Sequence, residues 1–227
     1  MRIGVLGTGM VGQVLAAKLA EAGHEVVVGT RDPAATLARQ EPDGYGNPPF
    51  SAWHAQHPDV KVGSFADAAT HGELVVNATA GAASLDALRL AGEANLHGKV
   101  LVDLANALDF SKGMPPSLLV SNTDSLGERL QRAFPDVRVV KSLNTMNALL
   151  MADPRQLADG DHTVFVCGDD DEAKAQVTQL LTEAFGWRDV IDLGDLSAAR
   201  ATEMVLPVWL RLMGTLRTPA FNIKVVS

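Results

Sequence analysis

The stretch that decides the fold opens the chain and reads Arg2-Ile3-Gly4-Val5-Leu6-Gly7-Thr8-Gly9-Met10-Val11-Gly12. Its apolar residues predict a first strand over Ile3–Leu6, and the pattern after the glycines predicts a helix over Val11–Ala22. The glycines between them match G-x-G-x-x-G in the strand–turn–helix context that this motif requires. The simpler interpretation is a glycine-rich turn that holds no ligand.

Each glycine has a separate task in a ligand-binding turn of this kind. Gly7 permits the tight turn, Gly9 lets the backbone approach a pyrophosphate closely, and Gly12 lets the helix lie near the strand. The N–H groups at the helix start, with the positive end of its dipole, attract the anion. We therefore predict a dinucleotide-binding turn made by Gly7, Thr8, Gly9, Met10, Val11 and Gly12.

The end of the next strand, Gly29-Thr30-Arg31-Asp32, indicates which dinucleotide binds. NAD sites usually carry an acid here that accepts hydrogen bonds from the ribose hydroxyls. Thr30 instead offers a hydroxyl and Arg31 a guanidinium, and both suit the 2′-phosphate of NADP. Asp32 is the counter-argument, as a displaced ribose acid, but Asp32-Pro33 is also a typical helix N-cap followed by proline. The sequence favours NADP(H) over NAD.

Short apolar runs alternate with helical patterns over the first two thirds of the chain, which is typical of βαβ units. Predicted strands lie at Ile3–Leu6, Glu25–Val28, Val60–Val62, Leu74–Asn77, Val100–Leu104 and Val137–Val140, and predicted helices at Val11–Ala22, Ala34–Gln40, Phe65–Thr70, Leu85–Ala91 and Ser125–Ala133. We predict an α/β fold of the Rossmann type, with a doubly wound, mainly parallel sheet and a small C-terminal α/β extension. Residues 1–145 would form the NADP-binding domain, and residues 146–227 the extension that completes the sheet and the substrate crevice.

Two regions depart from this alternation. Residues 41–59 begin with a turn-forming cluster rich in proline and glycine, after which Phe50, Ala52 and Trp53 predict a short helix over the following strand. The tail predicts strands and helices at His162–Cys167, Asp170–Phe185, Val190–Leu193, Leu196–Leu216 (interrupted by Pro207) and Asn222–Val226.

The carboxyl ends of the later strands predict the rest of the site, because ligands of doubly wound sheets bind there. Ala78 and Ala80 leave room for a flat ring, and Thr79 and Asn106 offer polar groups for a carboxamide or a ribose. Asn144 and Thr145, at the end of the sixth strand, are the predicted substrate-binding residues. The alternative for each of these positions is an ordinary turn or helix-cap residue.

Composition excludes several classes of partner. The 227 residues are 47% apolar, and 27 acidic against 19 basic residues give a net charge of −8. Such a balance disfavours nucleic acid and an anionic membrane surface. A single cysteine, Cys167, excludes an intramolecular disulfide and indicates a reducing, cytoplasmic location. The chain has no apolar run of spanning length, and its N-terminus does not resemble a signal peptide.

The chemistry-bearing residues are sparse. None of the six histidines has a metal-ligand spacing, and His54 and His57 lack a third ligand, so no metal is expected. Lys141 lies inside a strand pattern, and Cys167 fits a packed position better than a nucleophile. These residues offer no clear general acid or base, so they fit a reaction that needs neither from the protein. Direct hydride transfer between two flat heterocycles is one such reaction.

Nearly the whole chain resembles the F420-dependent NADP oxidoreductase family, whose fold the reductase domain of the STEAP metalloreductases shares. The resemblance is carried by Met1–Gly9, Gly23–Arg31, Cys167–Lys174 and Ile223–Val225. It implies that Thr30 and Arg31 hold the NADP phosphate. The family usually has a further basic residue on the next helix, where this chain has Ala34 and Ala35, and Arg39 is the only nearby substitute. The resemblance also implies a homodimer to which the C-terminal segment contributes, although the apolar stretch Val205–Leu210 fits either an interface or the core. Asn144 stands where the archaeal F420 enzymes have a histidine, which leaves the second substrate open.

Three functions follow from these observations. The first is an oxidoreductase that transfers hydride between NADPH and a flat heterocyclic acceptor such as coenzyme F420 or a flavin. The second is an NADPH-dependent reductase of a small keto or imino substrate, which would need a proton donor. The third is a non-catalytic NADP-sensing module, which fold analogy does not exclude.

Overall fold

A computed structural model describes residues 1–42 and 46–227. Ten strands, β1 to β10, lie at Arg2–Leu6, Glu25–Thr30, Lys61–Ser64, Leu74–Asn77, Val100–Asp103, Leu108–Asp109, Ser117–Leu118, Arg138–Ser142, Thr163–Gly168 and Asp189–Asp192. Eleven α-helices, α1 to α11, lie at Met10–Glu21, Pro33–Ala38, Phe50–Gln56, Phe65–His71, Ser84–Ala91, Glu93–Leu96, Leu126–Ala133, Ala148–Ala152, Asp171–Leu180, Ala199–Met204 and Leu206–Leu216. These counts refer to the described residues. Short 3-10 turns lie at Gly81–Ala83, Pro154–Gln156, Ala158–Gly160 and Leu196–Ala198, and a π turn at Leu181–Phe185.

Eight strands form one sheet in the order β10-β9-β8-β5-β4-β1-β2-β3. All neighbouring pairs are parallel except β8 and β9, which run antiparallel. The predicted Rossmann-type, mainly parallel fold is therefore confirmed. The strand order reverses direction between β1 and β4, and in such sheets ligands bind beyond the carboxyl ends of the strands at that reversal.

The core lies on both faces of this sheet because side chains alternate along each strand. In β1, Ile3 and Val5 join the cluster that packs against α1, whereas Leu6 joins the opposite cluster with Leu88 and Leu130. Burial on both faces explains why these strands are apolar throughout.

The structure corrects the prediction for the end of the chain. Residues 222–226 form no strand, although the carbonyl oxygen of Ile223 accepts a hydrogen bond of 2.9 Å from the N–H of Thr163. The predicted long helix Leu196–Leu216 is divided into a 3-10 turn, α10 and α11, with Pro207 in the first turn of α11. Proline is tolerated there because the first N–H groups of a helix have no partner within it.

The region between β2 and β3 contains the short helix that Phe50 and Trp53 predicted, now α3. The turn-forming cluster before it includes residues 43–45, which lie outside the described residues. The small antiparallel pair of β6 and β7 was not predicted, since each strand has two residues and no pattern that periodicity detects.

Candidate functional site

Two close backbone approaches shape the glycine turn after β1. Gly7 has a φ of +117°, and a Cβ there would lie 2.6 Å from the carbonyl oxygen of Ala78. A Cβ at Gly12 would lie 2.1 Å from the carbonyl oxygen of Gly7. Both distances are below any contact that a side chain tolerates, so glycine is required at these two positions.

Gly9 differs because the space in front of it is open. It is the N-cap of α1, with φ −72° and ψ 178°, a conformation that any residue adopts. Among the described residues, no atom of another part of the protein lies within 4 Å of a Cβ placed here, and no side chain caps the first turn of α1. The N–H groups of that turn, at the positive end of the helix dipole, are available to an anion. The turn has the room and the charge for a pyrophosphate.

A cavity of about 650 Å³ lies beside this turn. Its three walls come from the glycine turn and α1 (residues 8–13), from the end of β2 and α2 (residues 30–39), and from the segment 47–56. Its volume is within the range of about 300–1,000 Å³ that small-molecule sites occupy. The structure therefore brings the predicted residues Thr8, Gly9, Met10, Thr30 and Arg31 to one cavity.

The second wall carries positive charge. Arg31 and Arg39 both line the cavity and are exposed. The hydroxyl of Thr30 lies 2.9 Å from the hydroxyl of Thr36. The carboxylate of Asp32 accepts a hydrogen bond of 2.9 Å from the N–H of Ala35, so the predicted N-cap is confirmed. Two guanidinium groups beside a hydroxyl suit a phosphate ester, because arginine binds phosphate bidentately.

The third wall was missed by the sequence reasoning. In α3 the ring of Trp53 lies 5.1 Å from that of Phe50 and stacks on that of His57 at 4.4 Å. The hydroxyl of Ser51 donates a hydrogen bond of 2.6 Å to the carbonyl oxygen of Arg39, which ties this wall to the end of α2. In a sequence, aromatic residues at this spacing predict a helix. They do not show which part of the sheet the helix covers, so they could not predict a cavity wall.

His54 and His57 lie beside this wall, and their rings contact backbone carbonyl oxygens. A ring nitrogen of His54 lies 2.9 Å from the carbonyl oxygen of Val60, and one of His57 lies 2.8 Å from that of Trp53. Within the part of the chain that the structure describes, no three His, Cys, Asp or Glu side chains are grouped as a metal site. Across residues 1–42 and 46–227, no helix has the length and apolar character that crossing a bilayer requires.

The residues predicted to receive the flat ring and the carboxamide or ribose form a second cluster next to the glycine turn, which we call the nicotinamide side: Ala78, Thr79, Ala80 and Asn106. The hydroxyl of Thr79 donates to the side-chain oxygen of Asn77 at 2.7 Å, which fixes the turn after β4. A Cβ at Gly81 would lie 2.2 Å from the carbonyl oxygen of Asn106, so the turns after β4 and β5 are in contact. Ala78, Thr79, Ala80 and Asn106 thus lie together at the carboxyl edge of the sheet, and their binding role stays a prediction.

Asn144 and Thr145 lie one residue beyond the end of β8 and are each 2% exposed. The side-chain amide of Asn106 donates to the carbonyl oxygen of Asn144 at 2.8 Å, and that of Asn144 donates back to the side-chain oxygen of Asn106 at 3.2 Å. Leu143 precedes them with a φ of +62°, a conformation that is rare for a bulky residue. The structure joins Asn144 to Asn106, and substrate binding by Asn144 and Thr145 stays a prediction.

A buried ionic cluster lies beneath these turns. The ammonium of Lys141 is 2.8 Å from the carboxylate of Asp103 and 2.9 Å from that of Glu203, and all three side chains are buried. Burial by itself lowers the pKa of Lys141, but the two carboxylates outweigh it and raise the pKa above its usual value. Next to Lys141, the side chain of Cys167 is fully buried, which confirms that this cysteine packs. The same burial raises the pKa of its thiol to about 12, which disfavours a role as nucleophile. The available signal for the cluster was a lysine directly after the apolar pair Val139-Val140 in a predicted strand.

Comparison with known proteins places these features in context. Residues 2–107 match the family model described as NADP oxidoreductase, coenzyme F420-dependent. A crystal structure assigned as an F420-dependent NADP-reductase from Arthrobacter sp. FB24 is 59% identical, with a TM-score of 0.96 and complete coverage of both chains. The F420-dependent NADP reductase of Methanothermobacter marburgensis is 30% identical over 93% of this chain and 92% of its own length. Metalloreductase STEAP3 of Rattus norvegicus is 29% identical over 92% of this chain. The matched region is 38% of the length of STEAP3, so this chain spans only part of that relative.

Proposed function

Since this chain belongs to the family of F420-dependent NADP oxidoreductases, as the resemblance predicted, we propose that it transfers hydride between NADPH and a flat heterocyclic acceptor such as coenzyme F420 or a flavin. It is an NADP-dependent oxidoreductase, and the proposal concerns the acceptor and the residues that hold the cofactor. The single observation that supports it best is the cavity beside the glycine turn, where Thr30, Arg31 and Arg39 lie together.

The residues present fit NADP at both ends of the site. The open space at Gly9 and the uncapped start of α1, as far as the described residues show, suit the pyrophosphate. Arg31 and Arg39 would hold the 2′-phosphate, while the cap role of Asp32 occupies the carboxylate that an NAD site would direct at the ribose. Ala78, Thr79, Ala80 and Asn106 would receive the nicotinamide half.

When bound, NADPH supplies the hydride, and the task of the protein is to place the ring and exclude water. Small side chains at Ala78 and Ala80 would leave room for a planar acceptor against the nicotinamide ring. Lys141 and Cys167 are unsuited to acid–base work, because the lysine is held protonated by two carboxylates and the thiol stays protonated. A reaction without an acid or base from the protein suits such a site.

A stopped-flow experiment tests the acceptor. NADPH-loaded protein is mixed with F420, with FMN, or with a panel of small keto acids and cyclic imines, and the nicotinamide absorbance is followed. Oxidation by F420 or FMN alone supports the proposal. Oxidation by the keto acids or imines moves the assignment to a small-molecule reductase. Tight NADPH binding without oxidation by any of these acceptors counts against the proposal and favours a non-catalytic NADP-sensing module.

We also propose that the protein is a cytoplasmic homodimer joined through its C-terminal helices. Val208, Leu212 and Leu216 are spaced four residues apart along α11, so they lie on one face of that helix, and Met204 ends α10 just before it. The three α11 side chains are 60%, 39% and 51% exposed, and Met204 is 39% exposed. An apolar stripe about 12 Å long at the helical rise per residue is a surface that a second copy of the chain would cover. The division of the chain at residue 145 also stays a proposal.

A further inference from the structure

The carboxyl edge of the sheet carries a row of polar side chains across three neighbouring strands. Asn77 on β4 is in register with Asp103 on β5, and Asp103 is in register with Lys141 on β8. All three are at most 1% exposed. Buried charges at such positions are costly unless every polar atom has a partner.

The ammonium of Lys141 has three oxygen neighbours. It donates hydrogen bonds to the carboxylate of Asp103 at 2.8 Å and to the carbonyl oxygen of Ala105 at 2.5 Å, and it forms an ion pair with the carboxylate of Glu203 at 2.9 Å. One cation between two anions leaves one negative charge. The start of α7 offsets it, because the N–H groups of Leu126 and Gly127 donate to Glu203 at 2.8 and 3.1 Å.

Asp103 links this ammonium to both turns of the predicted nicotinamide side. Its second carboxylate oxygen accepts hydrogen bonds from the side-chain amide of Asn77 at 2.8 Å and from the N–H of Ala105 at 3.2 Å. Asn77 in turn accepts from the hydroxyl of Thr79 at 2.7 Å. Ala105 is therefore held at its N–H by Asp103 and at its carbonyl by Lys141, directly before Asn106.

We propose that the Asp103–Lys141 pair is a positioning device for the nicotinamide half of the cofactor. It fixes the turns at residues 77–81 and 103–107 relative to each other, and it touches neither cofactor nor substrate. The inference rests on the proposed function, because these turns matter only if NADP(H) binds along the carboxyl edge. Glu203 lies on the far side of Lys141 and contacts α7 instead.

The two carboxylates provide a matched pair of variants. Removing Lys141 would leave two unpaired buried carboxylates and could prevent folding. Asp103→Asn and Glu203→Gln each retain one ion pair and remove the excess negative charge. Each carboxylate faces three donors: Asp103 meets Asn77 and Ala105 on one oxygen and Lys141 on the other, and Glu203 meets Leu126 on one oxygen and Gly127 and Lys141 on the other. The new amide replaces one oxygen by an NH2 group, so the donors on that side meet another donor. In Asp103→Asn this conflict disturbs the link between Lys141 and the nicotinamide-side turns, and in Glu203→Gln it disturbs the link between Lys141 and α7.

The test measures dissociation constants by titration calorimetry for NADPH and for adenosine 2′,5′-bisphosphate, which is the adenosine half of the cofactor. The dissociation constant of the bisphosphate divided by that of NADPH reports how much binding the nicotinamide half adds. Asp103→Asn should reduce this ratio about tenfold, the scale of one hydrogen bond, with bisphosphate binding unchanged. Glu203→Gln should leave both constants unchanged. The fluorescence of bound NADPH should change in Asp103→Asn and match the wild type in Glu203→Gln.

Equal changes in the two variants, or no change in the ratio for Asp103→Asn, would overturn the positioning role. If Asp103→Asn does not fold, Asn77→Ala tests the same link from the other side, and an unaltered ratio there refutes the inference. A wild-type chain that binds neither ligand overturns the proposed function itself, and the inference with it. Binding of both ligands with equal effects of the two variants overturns the inference alone.

Discussion

A methyl group added at Gly9 separates cofactor binding from folding. In the structure, a Cβ at this position has no atom of another part of the described chain within 4 Å, and the backbone angles suit alanine. Gly9→Ala should therefore fold as the wild type does, or be more stable by about 0.4–1 kcal/mol because the unfolded chain loses freedom.

The same methyl group would occupy the space that a pyrophosphate needs. Displacing the phosphate from the start of α1 removes at least one charge-assisted hydrogen bond, worth about 1.5–3 kcal/mol. The dissociation constant of NADPH should then rise roughly 10- to 150-fold, since each 1.4 kcal/mol corresponds to about a factor of ten. Titration calorimetry measures this change, and thermal unfolding without ligand measures stability.

Gly12→Ala is the matched control. A Cβ there would lie 2.1 Å from the carbonyl oxygen of Gly7, so this variant should lose stability even without ligand. If Gly9→Ala binds NADPH as tightly as the wild type, the pyrophosphate does not approach this residue, and its assignment to the start of α1 is refuted. The separation of binding from folding is refuted if Gly9→Ala unfolds as easily as Gly12→Ala.

Three further predictions concern the phosphate site, the helix stripe and acid stability. Arg31→Ala and Arg39→Ala should each weaken NADPH binding by about 1–3 kcal/mol in calorimetry and leave NADH unaffected; equal losses for both cofactors would exclude a 2′-phosphate contact. The double change Val208→Asp, Leu212→Asp should convert the homodimer to a monomer in sedimentation velocity, and a wild-type monomer would contradict the proposed assembly. Burial alone would raise the pKa of Asp124, but hydrogen bonds from two arginines lower it to about 2. Its stabilising effect is thus present above about pH 4 and is lost as the pH falls toward 2. In urea unfolding, wild type and Asp124→Asn should differ by up to about 1 kcal/mol at pH 6 and converge near pH 2, because the carboxylate is partly exposed; a constant difference would show that Asp124 is not responsible.

The sequence predicted those features whose causes are local. The glycine turn, the N-cap at Asp32 and the position of Thr30 and Arg31 after β2 all follow from residues within a few positions of one another. The fold class followed from the alternation of apolar strands and helices, which needs no knowledge of distant contacts.

Features that depend on distant pairing were beyond this reasoning. β9 pairs with β8 in the antiparallel direction. That direction depends on the path of the segment between the two strands, and the residues of β9 do not specify it. Glu203 is 62 residues from Lys141 along the chain, so their ion pair could not be predicted, whereas Asp103 and Lys141 share a register that strand alignment could have found. The aromatic wall of α3 required the placement of a whole segment over the cavity.

The burial of Cys167 gives the chain a practical property. Its thiol is fully buried and has a pKa raised to about 12, so maleimide and iodoacetamide should not react with it at neutral pH. A cysteine introduced at the exposed position Gln56, on the rim of the cavity, would then be the single reactive thiol of the molecule. A dye attached there would report ligand entry in real time without any need to remove the native cysteine.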